Sequence, residues 1–161
     1  MPRSRVALPG QDYLARIGEI AYTVSSLEWT ILGDLHRLAG QLPDDLVLNR
    51  LESMMTSQIA SEVKHASKGM AEGSVKDYLL AVYPALFVVA DLRNDVLHAR
   101  PATHPHQGQR LNRAEVRDRK TTGKRFWIDD EWFESAVTEL NKQLSAVSRV
   151  RPPFTCVSEE A

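Results

Sequence analysis

The sequence predicts an all-α protein, an up-and-down bundle of four to five helices with a short β-hairpin-like insertion before the last helix. Three observations lead to this prediction. Apolar residues recur at three- and four-residue steps in several long segments, which is the period of one helix face. Glycine and proline separate these segments at positions where helices commonly end. One segment before the last helix has the composition of a turn flanked by short extended runs.

The length and composition fit a single compact domain. A chain of 161 residues can bury a hydrophobic core, and 43% hydrophobic with 25% charged residues is typical of a globular protein. We expect an N-terminal arm at residues 1–10, one helical domain at 11–149 and a C-terminal tail at 150–161. The single cysteine, Cys156, cannot form an intrachain disulfide, which favours a reducing compartment. No apolar leader or span is evident, so we expect a cytoplasmic protein without membrane contact.

Apolar stripes predict the first two helices. In residues 11–39 the stripe runs from Leu14 to Leu38, and Gly40 and Pro43 end the helix. A second stripe predicts a helix that continues towards Gly69 and is broken in its middle.

The third helix is predicted to be the most buried element. It begins near Ser74, which forms a capping-box-like pair with Asp77, and it ends near His98. Residues 78–92 are apolar on nearly all sides, so this helix should lie at the centre of the bundle. Pro84 lacks the amide that a regular helix uses, and we expect a kink there.

The chain changes character after the third helix. Residues 99–109 are too rich in proline, glycine and polar side chains to predict regular structure. Extended runs on both sides of TTGK, residues 121–124, predict a hairpin whose turn is this tetrapeptide. A last helix begins at Asp129 or Asp130 and ends before Pro152.

A cluster of polar residues lies at the end of the third helix. Asn94 and His98 are one helical turn apart and share a face, whereas Arg93 is five residues from His98 and points about 140° away on a regular helix. Local unwinding, or a second copy of the site across a dimer, would bring these groups together. A histidine at a helix C-terminus near Asp95 is stabilised in its protonated form, which suits proton transfer.

The segment from Arg93 to His98 resembles the Arg-polar-x-x-x-His signature of HEPN domains, small all-α bundles that include many ribonuclease toxins and antiphage effectors. In that family the signature lies at the end of a long bundle helix, asparagine often follows the arginine, and a small residue such as Ala99 often follows the histidine. The resemblance in sequence is confined to these positions, while the helical layout agrees over most of the chain. The basic insertion at residues 107–127 departs from a minimal HEPN bundle.

This resemblance implies an endoribonuclease that needs neither a metal ion nor a cofactor, and that acts as a toxin or antiphage effector with an antitoxin as a candidate partner. His98 would act as general base or acid at the 2′-hydroxyl or the leaving oxygen, and Arg93 would hold the scissile phosphate. Asn94 would orient the phosphate or the histidine. The implied active species is a homodimer with two signatures facing one cleft.

A basic segment at residues 100–125 is predicted to bind the RNA backbone. The whole chain has a formal net charge of −1, but this segment holds eight arginines and lysines against two acidic residues. Such a segment can also be a solvated loop. Its candidate RNA-binding residues are Arg100, Arg117, Arg119, Lys120 and Lys124.

Other interpretations stay open. Arg93 could form an ion pair with an acid of the first helix such as Glu28, and Asn94 and His98 could only satisfy the end of a buried helix. The competing function is a non-catalytic HEPN-like module that binds nucleic acid or a partner, or a dimeric interaction protein. His104 and His106 lack a further ligand at a suitable spacing, so no metal site is predicted. We expect Phe126, Trp127 and Trp132 to pack under the last helix and not to stack on bases.

Overall fold

The computed structural model describes residues 5–117 and 120–153. The described residues form five α-helices and a three-stranded antiparallel sheet, so the predicted all-α class is wrong and the fold is mixed. Two short 3₁₀ turns, Ala39–Gln41 and Asp44–Leu46, join the first two helices. The elements are α1 (Gln11–Arg37), α2 (Leu48–Leu51), α3 (Thr56–Gly69), α4 (Ser74–Leu97), β1 (Arg100–His104), β2 (Gly108–Arg117), β3 (Lys120–Ile128) and α5 (Asp130–Arg149).

The sheet contains a strand that the sequence did not predict. β1 pairs with β2 from Arg100 opposite Asn112 to His104 opposite Gly108, in a segment expected to be irregular. Pro101 is compatible with this strand because β1 lies at the edge of the sheet, where one side of the strand needs no hydrogen-bond partner. The polar and proline-rich composition therefore marked an edge strand and not a loop.

The turn predicted at TTGK is also misplaced. Residues 121–124 lie within β3, and the pairing of Arg117 with Lys120 puts the β2–β3 connection at residues 118–119, outside the described residues. The register shifts between Ala114 and Val116, where β3 has three residues, 122–124, opposite one residue of β2. Gly123 adopts a φ of 83° there, a conformation that glycine tolerates best. The glycine signal thus marks an irregularity inside the strand.

Helix α4 lies at the centre of the helical part, as predicted. It contacts α1, α3 and α5, and its residues Tyr78, Val82, Leu86 and Val89 are completely buried. The helix continues through Pro84. Its N-cap residue is Gly73 and not Ser74, and no side-chain hydrogen bond caps the helix, so the predicted capping pair is wrong. None of the described helices combines the length and apolar character needed to cross a bilayer.

The predicted break in the second helix is confirmed. Helix α2 ends at Leu51, and α3 begins at Thr56 after an N-cap residue, Met55, whose amide donates to Oε1 of Gln58 over 3.0 Å. Ile59 and Val63 are buried on the face of α3 that packs against α4. This packing brings the start of α3 beside the end of α4.

Tyr13 attaches the sheet to α1. The hydroxyl of Tyr13 donates to the carbonyl of Ile128 over 2.8 Å and accepts from the amide of Leu111 over 2.9 Å, so it bridges β2 and β3. Phe126 and Trp132 pack partly buried against the core, as expected. Trp127 does not follow that expectation, because its ring contacts His104 of β1 with centroids 4.8 Å apart.

A buried carboxylate links α1, α4 and the end of α5. Asp34 is 1% exposed and accepts hydrogen bonds from the hydroxyl of Tyr78 at 2.6 Å and from Nε of Arg151 at 2.7 Å. A second contact joins Nη2 of Arg151 to Oδ1 of Asp34. Burial and the hydrogen bond to Asp34 raise the pKa of Tyr78, so its hydroxyl remains a donor at any ordinary pH. The buried charge is therefore stabilised from two sides.

Replacing Asp34 by alanine should lower the free energy of unfolding by roughly 2–4 kcal/mol, because it leaves the buried Tyr78 hydroxyl without an acceptor and Arg151 without its ion pair. Urea unfolding monitored by circular dichroism measures this change as a shift of the midpoint at constant slope. Glu19→Ala, at an exposed acid of the same helix, is the control and should change the stability by less than about 0.5 kcal/mol. Equal effects of the two variants would contradict a stabilising role for the contacts of Asp34 with Tyr78 and Arg151.

Candidate functional site

The predicted catalytic residues line one cleft at the end of α4. Arg93, Asn94 and His98 lie on one wall, with a volume of about 350 Å³ between them and the residues opposite. All three side chains are exposed. The opposite wall is formed by the start of α3 and the turn before it, residues 53–57. We call this space the signature cleft.

The end of α4 allows Arg93 and His98 to share the cleft. The helix ends at Leu97, and His98 is its C-cap residue with φ −104° and ψ 5°, outside the helical range. The amide of His98 still donates to the carbonyl of Asn94 over 3.0 Å. Arg93 and His98 line the same cleft, although a regular helix would place them about 140° apart around its axis. One chain suffices to bring the two side chains to the same cleft.

Arg93 is held by residues from α1 and α3. Its Nη1 lies 3.9 Å from Oε2 of Glu28 and donates to Oγ1 of Thr56 over 3.4 Å. Thr56 in turn donates to the same Glu28 oxygen over 2.8 Å. The ion pair with Glu28 is the alternative that the sequence raised for Arg93, and it is present.

The Arg93 ion pair is loose. The Arg93 side chain is 51% exposed, and an ion pair at such a position adds about 0–1 kcal/mol to stability. Nη1 makes both contacts, so Nε and Nη2 have no hydrogen-bond partner among the described residues. These two donors remain able to bind an anion in the cleft.

Asp95 does not act on His98 as the sequence suggested. Its Oδ1 lies 3.4 Å from Nε of Arg113 in β2, and it does not line the signature cleft. Burial raises the pKa of the Asp95 carboxyl, and the contact with Arg113 opposes this rise. Asp95 therefore joins α4 to the sheet. The imidazole of His98 makes no hydrogen bond within the described part of the chain.

The predicted RNA-binding residues that the structure describes are exposed but not equivalent. Arg119 lies outside the described residues. Arg117 pairs with Glu115 at 3.0 Å. The side chains of Arg100, Lys120 and Lys124 make neither a hydrogen bond nor an ion pair with other described residues. Among the described residues, Arg100 and Lys120 therefore have no partner to give up before they can bind a phosphate, while the charge of Lys124 also acts on the Glu115 carboxylate.

Other cations of the basic segment have structural contacts. Arg113 pairs with Asp95, Arg125 donates to the carbonyl of Asn112 over 2.8 Å, and Arg110 lies over the ring of Tyr13 at 4.4 Å from its centroid. The positive charge of the sequence thus serves partly to hold the sheet. In the portion that the structure describes, no group of three or more histidine, cysteine or acidic residues is arranged to hold a metal ion.

The sequence predicted only one wall of the signature cleft. Thr56 is 37 positions from Arg93, and no pattern in the sequence relates the two. The predicted break in the second helix was the one sequence signal for the opposite wall, because a break implies the start of a new helix. The sequence did not show that this helix would start beside Arg93. Glu28 was identified in advance only as a possible ion-pair partner.

The chain matches no protein-family model, no curated protein and no solved structure.

Replacing Thr56 by valine should lower the free energy of unfolding by about 1–2 kcal/mol. The substitution keeps the shape of the side chain but removes the hydroxyl that donates to Glu28, and Glu28 is only 15% exposed. Urea unfolding measures the effect. Ser61→Ala is the control, since this exposed hydroxyl bonds only to its own helix at Ser57, and it should change stability by less than about 0.5 kcal/mol. A Thr56 variant as stable as the control would show that the hydroxyl does not hold the pair.

Proposed function

We propose that the protein is a HEPN-like endoribonuclease that cleaves RNA without a metal ion at the signature cleft. The observation that carries the proposal is that Arg93, Asn94 and His98 line one cleft with their side chains exposed. A phosphate-binding cation, an amide and a proton-transfer group are the components that cleavage by 2′-hydroxyl attack requires. The proposal includes a cytoplasmic role as a toxin or antiphage effector, with an antitoxin as partner.

Arg93 and the start of α3 would bind the scissile phosphate. Nε and Nη2 of Arg93 are adjacent donors that match two oxygens of one phosphate. The first amides of a helix have no partner within it and carry a partial positive charge, and Thr56 and Ser57 place such amides at the cleft. The start of α3 on one wall and the Arg93 guanidinium on the other therefore favour an anion.

His98 would transfer the proton. As a neutral base, its imidazole removes the proton of the 2′-hydroxyl, and the 2′-oxygen then bonds to phosphorus while the bond to the 5′-oxygen breaks. The products are a 2′,3′-cyclic phosphate and a 5′-hydroxyl, which takes its proton from a second, protonated group. Asn94, one turn before His98, would orient the imidazole or a phosphate oxygen. No metal ion is needed, because the nucleophile belongs to the RNA and Arg93 offsets the charge that grows on the phosphate.

A homodimer would supply the second proton-transfer group. Two large apolar side chains at the cleft, Met55 on one wall and Leu97 on the other, are 66% and 65% exposed. Neighbouring exposed apolar groups favour contact with another protein surface. A second copy related by two-fold symmetry would cover them and bring a second signature to the same phosphate.

The competing function is a HEPN-like module that binds nucleic acid or a partner without cleaving. The contact of Arg93 with Glu28 and Thr56 favours it, because a residue with such partners can serve structure alone. This alternative predicts that His98 has no effect on the fate of bound RNA.

RNA incubated with the purified protein in excess EDTA should be cut to products that end in a 2′,3′-cyclic phosphate. His98→Ala should reduce the rate by about 10²–10⁴-fold, because it removes the proton-transfer group. Labelled oligonucleotides resolved on denaturing gels, with total RNA as a second substrate, measure the rate. His65→Ala, at an exposed histidine of α3 outside the cleft, should cleave as fast as the unmodified protein. Equal rates for the two variants would exclude His98 as the catalytic group, and unaltered binding without cleavage would favour the binding module.

Replacing Lys120 and Lys124 together by alanine should weaken RNA binding and reduce its salt dependence. Each lost contact between a cation and a phosphate of single-stranded RNA lowers the slope of log K against log salt by about 0.7, so the double variant should lose roughly 1.4. Fluorescence anisotropy of a labelled oligonucleotide at several salt concentrations, on a His98→Ala background, measures the slope. Lys142→Ala, at an exposed lysine of α5, is the control. A slope equal to that of the control would remove these lysines from the RNA-binding surface.

A further inference from the structure

A second cleft adjoins the signature cleft. It lies between α1 and α4, has a volume of about 460 Å³ and shares Met54, Arg93 and Leu97 with the signature cleft. We call it the α1–α4 groove. Because Arg93 lies at the junction, a nucleotide whose phosphate contacts Arg93 can extend its base into the groove.

The groove combines apolar walls with carboxylates. The indole of Trp29 is 57% exposed and lies with Met54 and Leu97 along the groove. Glu28 and Glu52 also line it, and Arg93 is the one cation among the described residues that do so. A phosphate is repelled by the two carboxylates, so the groove itself does not suit an anion. It suits a flat group that stacks on an aromatic ring and presents hydrogen-bond donors at its edge.

We infer that the α1–α4 groove binds a guanine base of the RNA substrate, in the nucleotide whose phosphate contacts Arg93. Trp29 supplies the stacking surface, and Glu28 accepts hydrogen bonds from the Watson–Crick edge. Glu28 is preorganised for this role because its Oε2 is held by Thr56, while its Oε1 has no hydrogen-bond partner among the described residues. The inference rests on the proposed function for its biological role, but base binding itself is measurable without cleavage.

The chemistry of the four bases favours guanine. Guanine has two neighbouring donors, N1–H and the 2-amino group, and one carboxylate can accept both. In adenine and cytosine the amino group lies beside a ring nitrogen that is an acceptor, which a carboxylate repels. Uracil presents one N–H between two carbonyl oxygens. A carboxylate in the groove therefore distinguishes guanine from the other three bases.

The first test measures binding of the four nucleoside 3′-monophosphates to the full chain by isothermal titration calorimetry. Guanosine 3′-monophosphate should bind at least about 10-fold more tightly than the other three nucleotides. Trp29→Ala should weaken its binding about 10-fold, because one stacked ring is lost. Tyr22→Ala is the matched control, since Tyr22 is an exposed aromatic residue of the same helix that lines a different cleft, and it should leave binding unchanged.

Glu28→Gln distinguishes base recognition from an indirect effect through Arg93. If Glu28 accepts hydrogen bonds from the base, the variant binds guanosine 3′-monophosphate more weakly and binds the other three nucleotides with nearly unchanged affinity. If Glu28 acts only by positioning Arg93, the variant binds all four nucleotides more weakly and to the same extent, since each has the same phosphate. The first result supports the pocket and the second overturns the assignment of Glu28. Urea midpoints of the variants establish that each is folded.

Three further outcomes are decisive. Equal affinities for the four nucleotides, or equal effects of Trp29→Ala and Tyr22→Ala, overturn the inference. A change of oligomeric state in Trp29→Ala, without nucleotide binding by the unmodified protein, assigns the groove to an interface between copies and also overturns it. The proposed function is tested separately from this inference. Guanine binding without RNA cleavage supports the guanine pocket and contradicts the nuclease proposal. Cleavage without preference for guanine supports the nuclease proposal and contradicts the guanine pocket.

Discussion

The arrangement of this protein depends on the burial of α4. A helix that is apolar on nearly all sides is stable in water only when other elements cover each side, and α1, α3 and α5 do so. Tyr78 shows how completely this is achieved, because even its hydroxyl is buried and needs Asp34 as an acceptor. Most of the apolar part of the helix is covered in this way, although Leu80 is 43% exposed. Arg93, Asn94 and His98 lie where the helix ends, and solvent reaches all three.

The signature cleft follows from this arrangement. Helix α3 packs along α4 and begins beside the end of α4, so a helix start with partial positive charge faces a helix end with partial negative charge. Cationic side chains are stabilised at such a helix end, and anions at such a helix start. Arg93 precedes the last turn of α4, which holds no basic residue. A phosphate in the cleft would be favoured by the start of α3 and by the Arg93 guanidinium, against the partial negative charge at the end of α4.

The helical part of the fold and one wall of the site were predictable from the sequence, because they depend on local patterns. The period of the apolar residues gave α1, α4 and α5 to within a few residues, and the polar cluster at the end of α4 was evident without a structure. The missing parts depend on pairing between distant residues. Pro101 reads as a loop signal unless its strand is known to be an edge, and Gly123 reads as a turn unless the register with β2 is known. Thr56 could not be assigned to the site, because only the packing of α3 on α4 brings it to Arg93.

The weakness of the Arg93 ion pair matters for the proposed function. A tightly buried pair with Glu28 would hold the guanidinium away from a substrate, and breaking it would cost several kcal/mol. At 3.9 Å and half exposed, the pair instead fixes the direction of the side chain at little cost to its availability. A phosphate that accepts two hydrogen bonds from Nε and Nη2 makes a stronger interaction than the pair itself, and it does not displace Nη1 from Thr56. Glu28 and Thr56 are therefore compatible with substrate binding. Their contact with Arg93 is expected both in a preorganised phosphate site and in a purely structural arrangement.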